Sequence, residues 1–172
     1  MASIIAANGE VFAEKWAKGL VSNLAKRPQG NDRSQIKSIY SGECDVAIIN
    51  HYYYGKLTYS KNSDHQKWAK ASFIVFPNQG SNDRGAHVNI SGGGVVKFSN
   101  NKEMATNFLE FLVTEQAQIL YGDVNFEYPI DNKSKLPKRL KALGTFKEDN
   151  LLIEEIAKLA PKAQEIIDKV FW

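Results

Sequence analysis

One stretch constrains this chain more than any other: Asp45-Val46-Ala47-Ile48-Ile49-Asn50-His51-Tyr52-Tyr53-Tyr54-Gly55. A short apolar run bounded by Asp and Asn has the pattern of a strand covered on both faces, as in a parallel sheet with helices on each side. Three consecutive phenols follow at its carboxyl end, which is where ligand sites lie in such sheets. The stretch therefore predicts an α/β fold with a candidate site at residues 50–54. Adjacent side chains point apart in a strand, so a chelating pair of tyrosines needs a turn or short helix there, which Gly55 helps to permit.

A phenol ionises at a pKa of about 10 and is a poor ligand at neutral pH unless a strongly polarising cation displaces its proton. Hard anionic oxygen suits hard, highly charged cations, and ferric iron is the biological ion that fits best. Packing is the competing reading and leads on this stretch alone, because tyrosine commonly buries its ring while its hydroxyl finds a partner.

The rest of the chain reads as helices interleaved with short strands. Residues 2–7 are helix-compatible and stop at Asn8-Gly9. Phe12, Trp16, Leu20 and Leu24 recur at steps of four, which predicts an amphipathic helix over 10–26. Asp32, with Gln35 three residues on, reads as the capped start of a helix through Ser41. Strands are expected at 45–50, 71–77, 87–90 and 95–98, with Ser91-Gly92-Gly93-Gly94 as a bend or bulge and not a phosphate cradle. Helices are expected from Asn101 to Val113 and from Thr114 through Tyr121, followed by an extended segment at 125–130. Residues 151–159 and 161–170 read as a helical pair, with Pro161 in a first turn.

Composition excludes several classes. The net charge is +3 and the lysines are spread along the chain, so no nucleic-acid footprint is present. A single cysteine, Cys44, and histidines at 51, 65 and 87 offer no zinc spacing. No apolar run has the roughly 18 residues of a membrane helix, and the start of the chain lacks the basic region of a secretory signal. No nucleophile-base pair, paired carboxylates or nucleotide fingerprint is present, so the chain is not expected to be an enzyme.

The segment from Gly42 to Gly55 resembles the tyrosine-pair region of periplasmic ferric-iron-binding proteins of ABC importers. Further segments are similar to the same family in the same order. They are Lys26-Arg27-Pro28-Gln29-Gly30-Asn31-Asp32, the stretch from Gly85 to Val95, Asn101 through Leu112, Glu115-Gln116-Ala117-Gln118, and Glu127-Tyr128-Pro129. The similarity runs through nearly the whole chain.

This resemblance implies the carboxyl-terminal portion of a two-lobed periplasmic-binding-protein-like fold. Residues 1–84 and 134–172 would form the second lobe, and residues 85–133 would be a return segment of the otherwise absent first lobe. It also implies Fe(3+) as the bound ion, with a synergistic anion as a further candidate, the periplasm as location and an ABC importer permease as partner. By the family's pattern the metal ligands are Tyr52 and Tyr53. Tyr54 is assigned to packing, and Asn50 and Asn31 are candidates for outer or anion contacts. His51 is expected to point away, and His65 and His87 to be surface or structural.

Family members are about twice this long, and a further family tyrosine is expected just before Met1. Without strand partners, the expected consequences are an exposed edge, a dimer, or pairing with a complementing amino-terminal half. The alternatives are a related solute-binding lobe for a small organic ligand stacked on the aromatic rings, or a truncated fragment without binding activity.

Overall fold

The computed structural model describes residues 1–27, 29–131 and 133–172. Pro28, in the loop resembling the family's, and Asn132, in the expected return segment, lie outside the described residues. The chain divides into two compact units: Met1–Gln29, Phe76–Asn89 and Phe146–Trp172 form one, and Gly30–Val75 with Ile90–Thr145 the other.

The first unit is built on three helices, α1 (Ala2–Asn8), α2 (Glu10–Ser22) and α9 (Ile153–Val170). Ile156, Leu159, Ala163, Ile166 and Val170 recur at helical spacing along α9 and pack against Ile5, Ala13 and Ala17 of the other two. Alanines on α2 let the helices approach closely. Glu14 ties the pair across the surface, accepting from Lys18 at 2.6 Å and from Lys169 of α9 at 2.8 Å.

The helical pair expected at 151–170 is one continuous helix. Pro161 removes one backbone bond from its interior, but it sits on the exposed face, where the freed carbonyl can be hydrated. Burial of the opposite stripe offsets that loss. Residues 10–26 also end earlier than expected, at Ser22, where the Asn23 side chain donates to the Gly19 carbonyl at 2.9 Å.

The second unit holds α3 (Asp32–Tyr40), α4 (His51–Thr58), α5 (Ser63–Lys70), α6 (Lys102–Leu112), α7 (Glu115–Val124) and α8 (Lys138–Lys141). Ile36, Leu57 and Ala69, one from each of α3, α4 and α5, make its buried cluster, with Ile49, Tyr54 and Trp68 packed around them. Leu57 is fully buried, and truncating such a side chain costs about 2–5 kcal/mol. The start of α3 differs from the sequence expectation. Asn31 is the cap, accepting from the Ser34 N–H at 3.2 Å, and Asp32 is the first helical residue. Thr114 caps α7 as expected, accepting from Ala117 at 3.4 Å.

The strands are the main correction. Among the described residues there is no β-ladder, only an isolated parallel bridge between Ala86 and Glu148. The segments nevertheless keep the period of two that a strand imposes. Ser72 and Ile74 are half-buried while Phe73 and Val75 are 81% and 71% exposed; Ala47 and Ile49 are half-buried while Val46 and Ile48 are exposed. One face of each segment is covered and the other is bare. A strand is completed by its neighbour, and no neighbouring strand stands beside these segments among the described residues. The segment expected to be extended at 125–130 also begins otherwise, with Asn125 helical and Phe126 left-handed at φ 63°.

Candidate metal centre

The phenols sit on α4, a helix of eight residues whose composition does little to form it. Aromatic residues and glycine are weak helix formers, and so short a helix is marginal alone. Tertiary anchors hold it instead. Asn50, the residue before the first turn, donates its backbone N–H to Asp32 Oδ1 at 2.7 Å and its Nδ2 to the same oxygen at 3.2 Å. Leu57 is buried against α3 and α5. His51 Nε2 lies 2.6 Å from the carbonyl of Phe126. Gly55 packs against the Phe126 ring so closely that a Cβ there would lie 2.5 Å from its Cγ.

On a helix, consecutive side chains diverge by about 100° and not the 180° of a strand, so neighbours can converge. The rings of Tyr52 and Tyr53 lie 4.4 Å apart, inclined at 38°. A hydrogen bond to the Tyr53 hydroxyl is the largest cause that pushes the Tyr52 phenol up to about 12, with burial and the neighbouring carboxylates of Asp32 and Glu127 acting the same way. The two rings thus pack side by side at the start of α4. The ring faces are engaged by cations: Arg33 stands 5.7 Å from the centre of Tyr53, and Lys56 stands 5.3 Å from that of Tyr52.

The remaining sequence candidates are accounted for locally. Tyr54 turns into the helical cluster and donates its hydroxyl to the Ser72 carbonyl at 3.0 Å. The Asn50 amide nitrogen is engaged with Asp32, and the Asn31 side chain caps α3. Burial holds the His51 imidazole below its ordinary pKa, against the opposing effects of the Phe126 carbonyl and Glu127. His65 Nδ1 is 3.0 Å from Ser60 Oγ, with its ring beside Trp68, and His87 is exposed. Cys44 is half-buried and unpaired in disulfides. Among the described residues no three His, Cys, Asp or Glu side chains form a group able to hold a metal ion.

Phe126, Arg33 and Lys56 are parts of this site that sequence reasoning did not single out, and Asp32 was read only as a helix start. Lys56 follows the tyrosines closely in the sequence, whereas Arg33 lies on α3 and meets Tyr53 only in space. Phe126 lies beside the Glu127-Tyr128-Pro129 motif, but nothing in the spacing links it to a helix so far back in the chain.

No family model matches the chain. Among curated proteins, "Iron uptake protein A1" of Synechocystis is 41% identical over 172 residues, which is 100% of this chain and 47% of that protein. The "Fe(3+)-binding periplasmic protein" of Serratia marcescens is 31% identical over 134 residues, 76% of this chain and 36% of its own length. Among solved structures, the ferric binding protein from Campylobacter jejuni superposes with a TM-score of 0.91 at 41% identity, over 98% of this chain and 53% of that one. Trichodesmium IdiA (FutA), in complex with iron and citrate ligands, gives 0.91 at 43% identity over 99% and 54%. The chain thus spans about half the length of the curated relatives it matches most fully. Across its whole length it is homologous to one half of the ferric-iron-binding proteins, and it carries that half of their type II solute-binding fold.

Proposed function

We propose that this chain binds ferric iron through the phenolates of Tyr52 and Tyr53, as part of a periplasmic solute-binding protein that delivers iron to an ABC importer permease. The observation that carries the reading is the pairing of the Tyr52 and Tyr53 rings, 4.4 Å apart at the start of α4. Hard anionic oxygens so placed suit a ferric ion. Homology to ferric-binding proteins supports the same ion. Arg33 and Lys56 supply positive charge for a co-bound anion. The cations over the ring faces also weigh against the organic-ligand alternative, because a stacked ligand would need those faces.

Under this reading the residues of the chain supply part of a two-lobed fold, with the tyrosine pair carried by the unit of Gly30–Val75 and Ile90–Thr145. Further ligands would come from the half of the fold that these residues do not include, whether from the same polypeptide, a complementing one or a second copy. The chain's part is to bind and release; it performs no chemical conversion.

The test is a titration with ferric iron presented as its nitrilotriacetate complex, following the visible tyrosinate-to-iron charge-transfer band. We expect a band saturating at one ion per chain in the wild type and none in the Tyr52→Phe, Tyr53→Phe double variant. A folded wild type with no band, or a band that survives in the double variant, overturns the reading.

A further inference from the structure

His51 and Gly55 of α4 and Tyr59, the residue that ends it, form a stripe at four-residue spacing. All three meet a single residue of a distant segment. The His51 ring nitrogen is 2.6 Å from the Phe126 carbonyl; the Gly55 backbone lies under the Phe126 ring; and the Tyr59 ring stacks on it at 5.5 Å and 11°. For the carbonyl to accept, His51 Nε2 carries the hydrogen. Arg139 covers the Tyr59 ring at 5.3 Å and completes the stack.

Phe126 is itself held in an unusual conformation. It is 4% exposed and left-handed at φ 63°, a conformation that is strained for a residue other than glycine. A bulky aromatic residue persists there because its neighbours fix it. Its backbone turns the carbonyl toward His51 while its ring turns toward Gly55, so one residue grips the helix by two groups.

A helix of eight residues, weak in propensity and without a side-chain cap, has little of its own to fix its rotation about its axis. Because each residue turns by about 100°, a modest rotation would re-aim both phenols. We propose that Phe126 is the positioning residue of the tyrosine pair: by gripping His51, Gly55 and Tyr59 it sets the rotation of α4 at which Tyr52 and Tyr53 converge. The grip also reaches Tyr52 directly, since the His51 ring meets the Tyr52 ring edge-on at 5.9 Å. The assignment deepens the ferric-binding reading and rests on it for its functional meaning, while the geometric claim stands separately.

The experiment uses the 172-residue chain with Phe126→Leu, which keeps apolar volume but loses the stack, Phe126→Tyr, which keeps the ring, and Gly55→Ala, which forces the ring off the helix. Tyrosine-labelled NMR of the iron-free protein reads ring-to-ring NOEs between Tyr52 and Tyr53, and circular dichroism reads folding. Ferric nitrilotriacetate titration then reads affinity and the position of the charge-transfer band. We expect Phe126→Leu and Gly55→Ala to stay folded, to lose those NOEs, to bind iron at least tenfold more weakly and to shift the band. Phe126→Tyr is expected to retain the NOEs and to stay within about twofold of wild type. NOEs and affinity unchanged in folded Phe126→Leu overturn the proposal, as does their loss in Phe126→Tyr. A wild type without an iron band would sink the ferric reading instead, and the NOEs would still decide whether Phe126 sets the pair.

Discussion

Asp32 Oδ1 accepts two hydrogen bonds from Asn50, one from its backbone N–H at 2.7 Å and one from its side-chain amide at 3.2 Å. The first residue of α3 thereby fixes the entry to the helix that carries the tyrosines. A carboxylate accepting two such bonds at a partly open site contributes about 1–3 kcal/mol. Asp32→Ala is expected to lower the chemical-denaturation stability by an amount in that range and to weaken iron binding. Asp32→Asn retains one acceptor and is expected to fall between the two.

Gly85 stands at φ 100°, and a Cβ there would lie 2.5 Å from the Glu148 carbonyl carbon. The adjoining bridge has Ala86 donating to the Lys147 carbonyl and Asp149 donating to the Ala86 carbonyl, each at 2.9 Å. Gly85→Ala is expected to open that bridge and cost about 2 kcal/mol or more, since both backbone conformation and contact forbid the side chain. Amide hydrogen exchange checks this: Ala86 and Asp149 should lose protection together, whereas α3 and α5 should not change.

Hydrogen bonds from Lys169 and Lys18 hold the Glu14 carboxyl down at about 2. A carboxyl whose folded pKa is depressed adds stability above its unfolded value of about 4.5, and that stability disappears as pH falls toward 2. Glu14→Gln is accordingly expected to be less stable than wild type at pH 7, with the gap closing between pH 4.5 and 2. Thermal melts across that window measure it, and a gap that widened in acid would contradict the linkage.

On the proposed reading, ferric binding at the tyrosine pair displaces phenolic protons, and the Tyr52 phenol is pushed up to about 12. Lower pH raises proton competition and higher pH relieves it, so apparent affinity is expected to fall on acidification by up to about 100-fold per pH unit when two protons are released. Competition with nitrilotriacetate at several pH values, corrected for the chelator's own protonation, gives the slope. A flat profile would mean that phenolates are not the ligands.

Local physics made much of this structure legible in the sequence. The four-residue steps of Phe12, Trp16 and Leu20 announced α2, and Thr114 with Glu115 announced the start of α7. A non-strand conformation at the tyrosines was legible because two adjacent side chains cannot converge on a strand, and α4 begins at His51. The interleaving of helices with strand-like segments gave the α/β class, which the shared fold bears out.

What was not legible depended on distant partners. Ser72 and Ile74 show the inward half of a strand's alternation, but a ladder depends on neighbours that lie outside the segment. Asn31 and Asp32 are equally good caps, and only the Asp32–Asn50 bonds decide between them. Pro161 reads as a helix start, yet the buried stripe from Ile156 to Val170 carries the helix through it. Phe126 gave no signal, because its partners on α4 are near it only in space.

The bare faces of the strand-like segments have a colloidal consequence. Phe73-Ile74-Val75 combines aromatic and β-branched residues with no charge, and no backbone hydrogen bond among the described residues engages these three amides. Such a stretch is a template for intermolecular cross-β stacking unless another strand covers it first. Lys70 and the proline at position 77 flank it as gatekeepers that slow such growth without preventing it. Chains held at high concentration with that face bare would be lost to fibrillar precipitate, so occupancy of the face sets how long the protein stays in solution as well as how its sheet is completed.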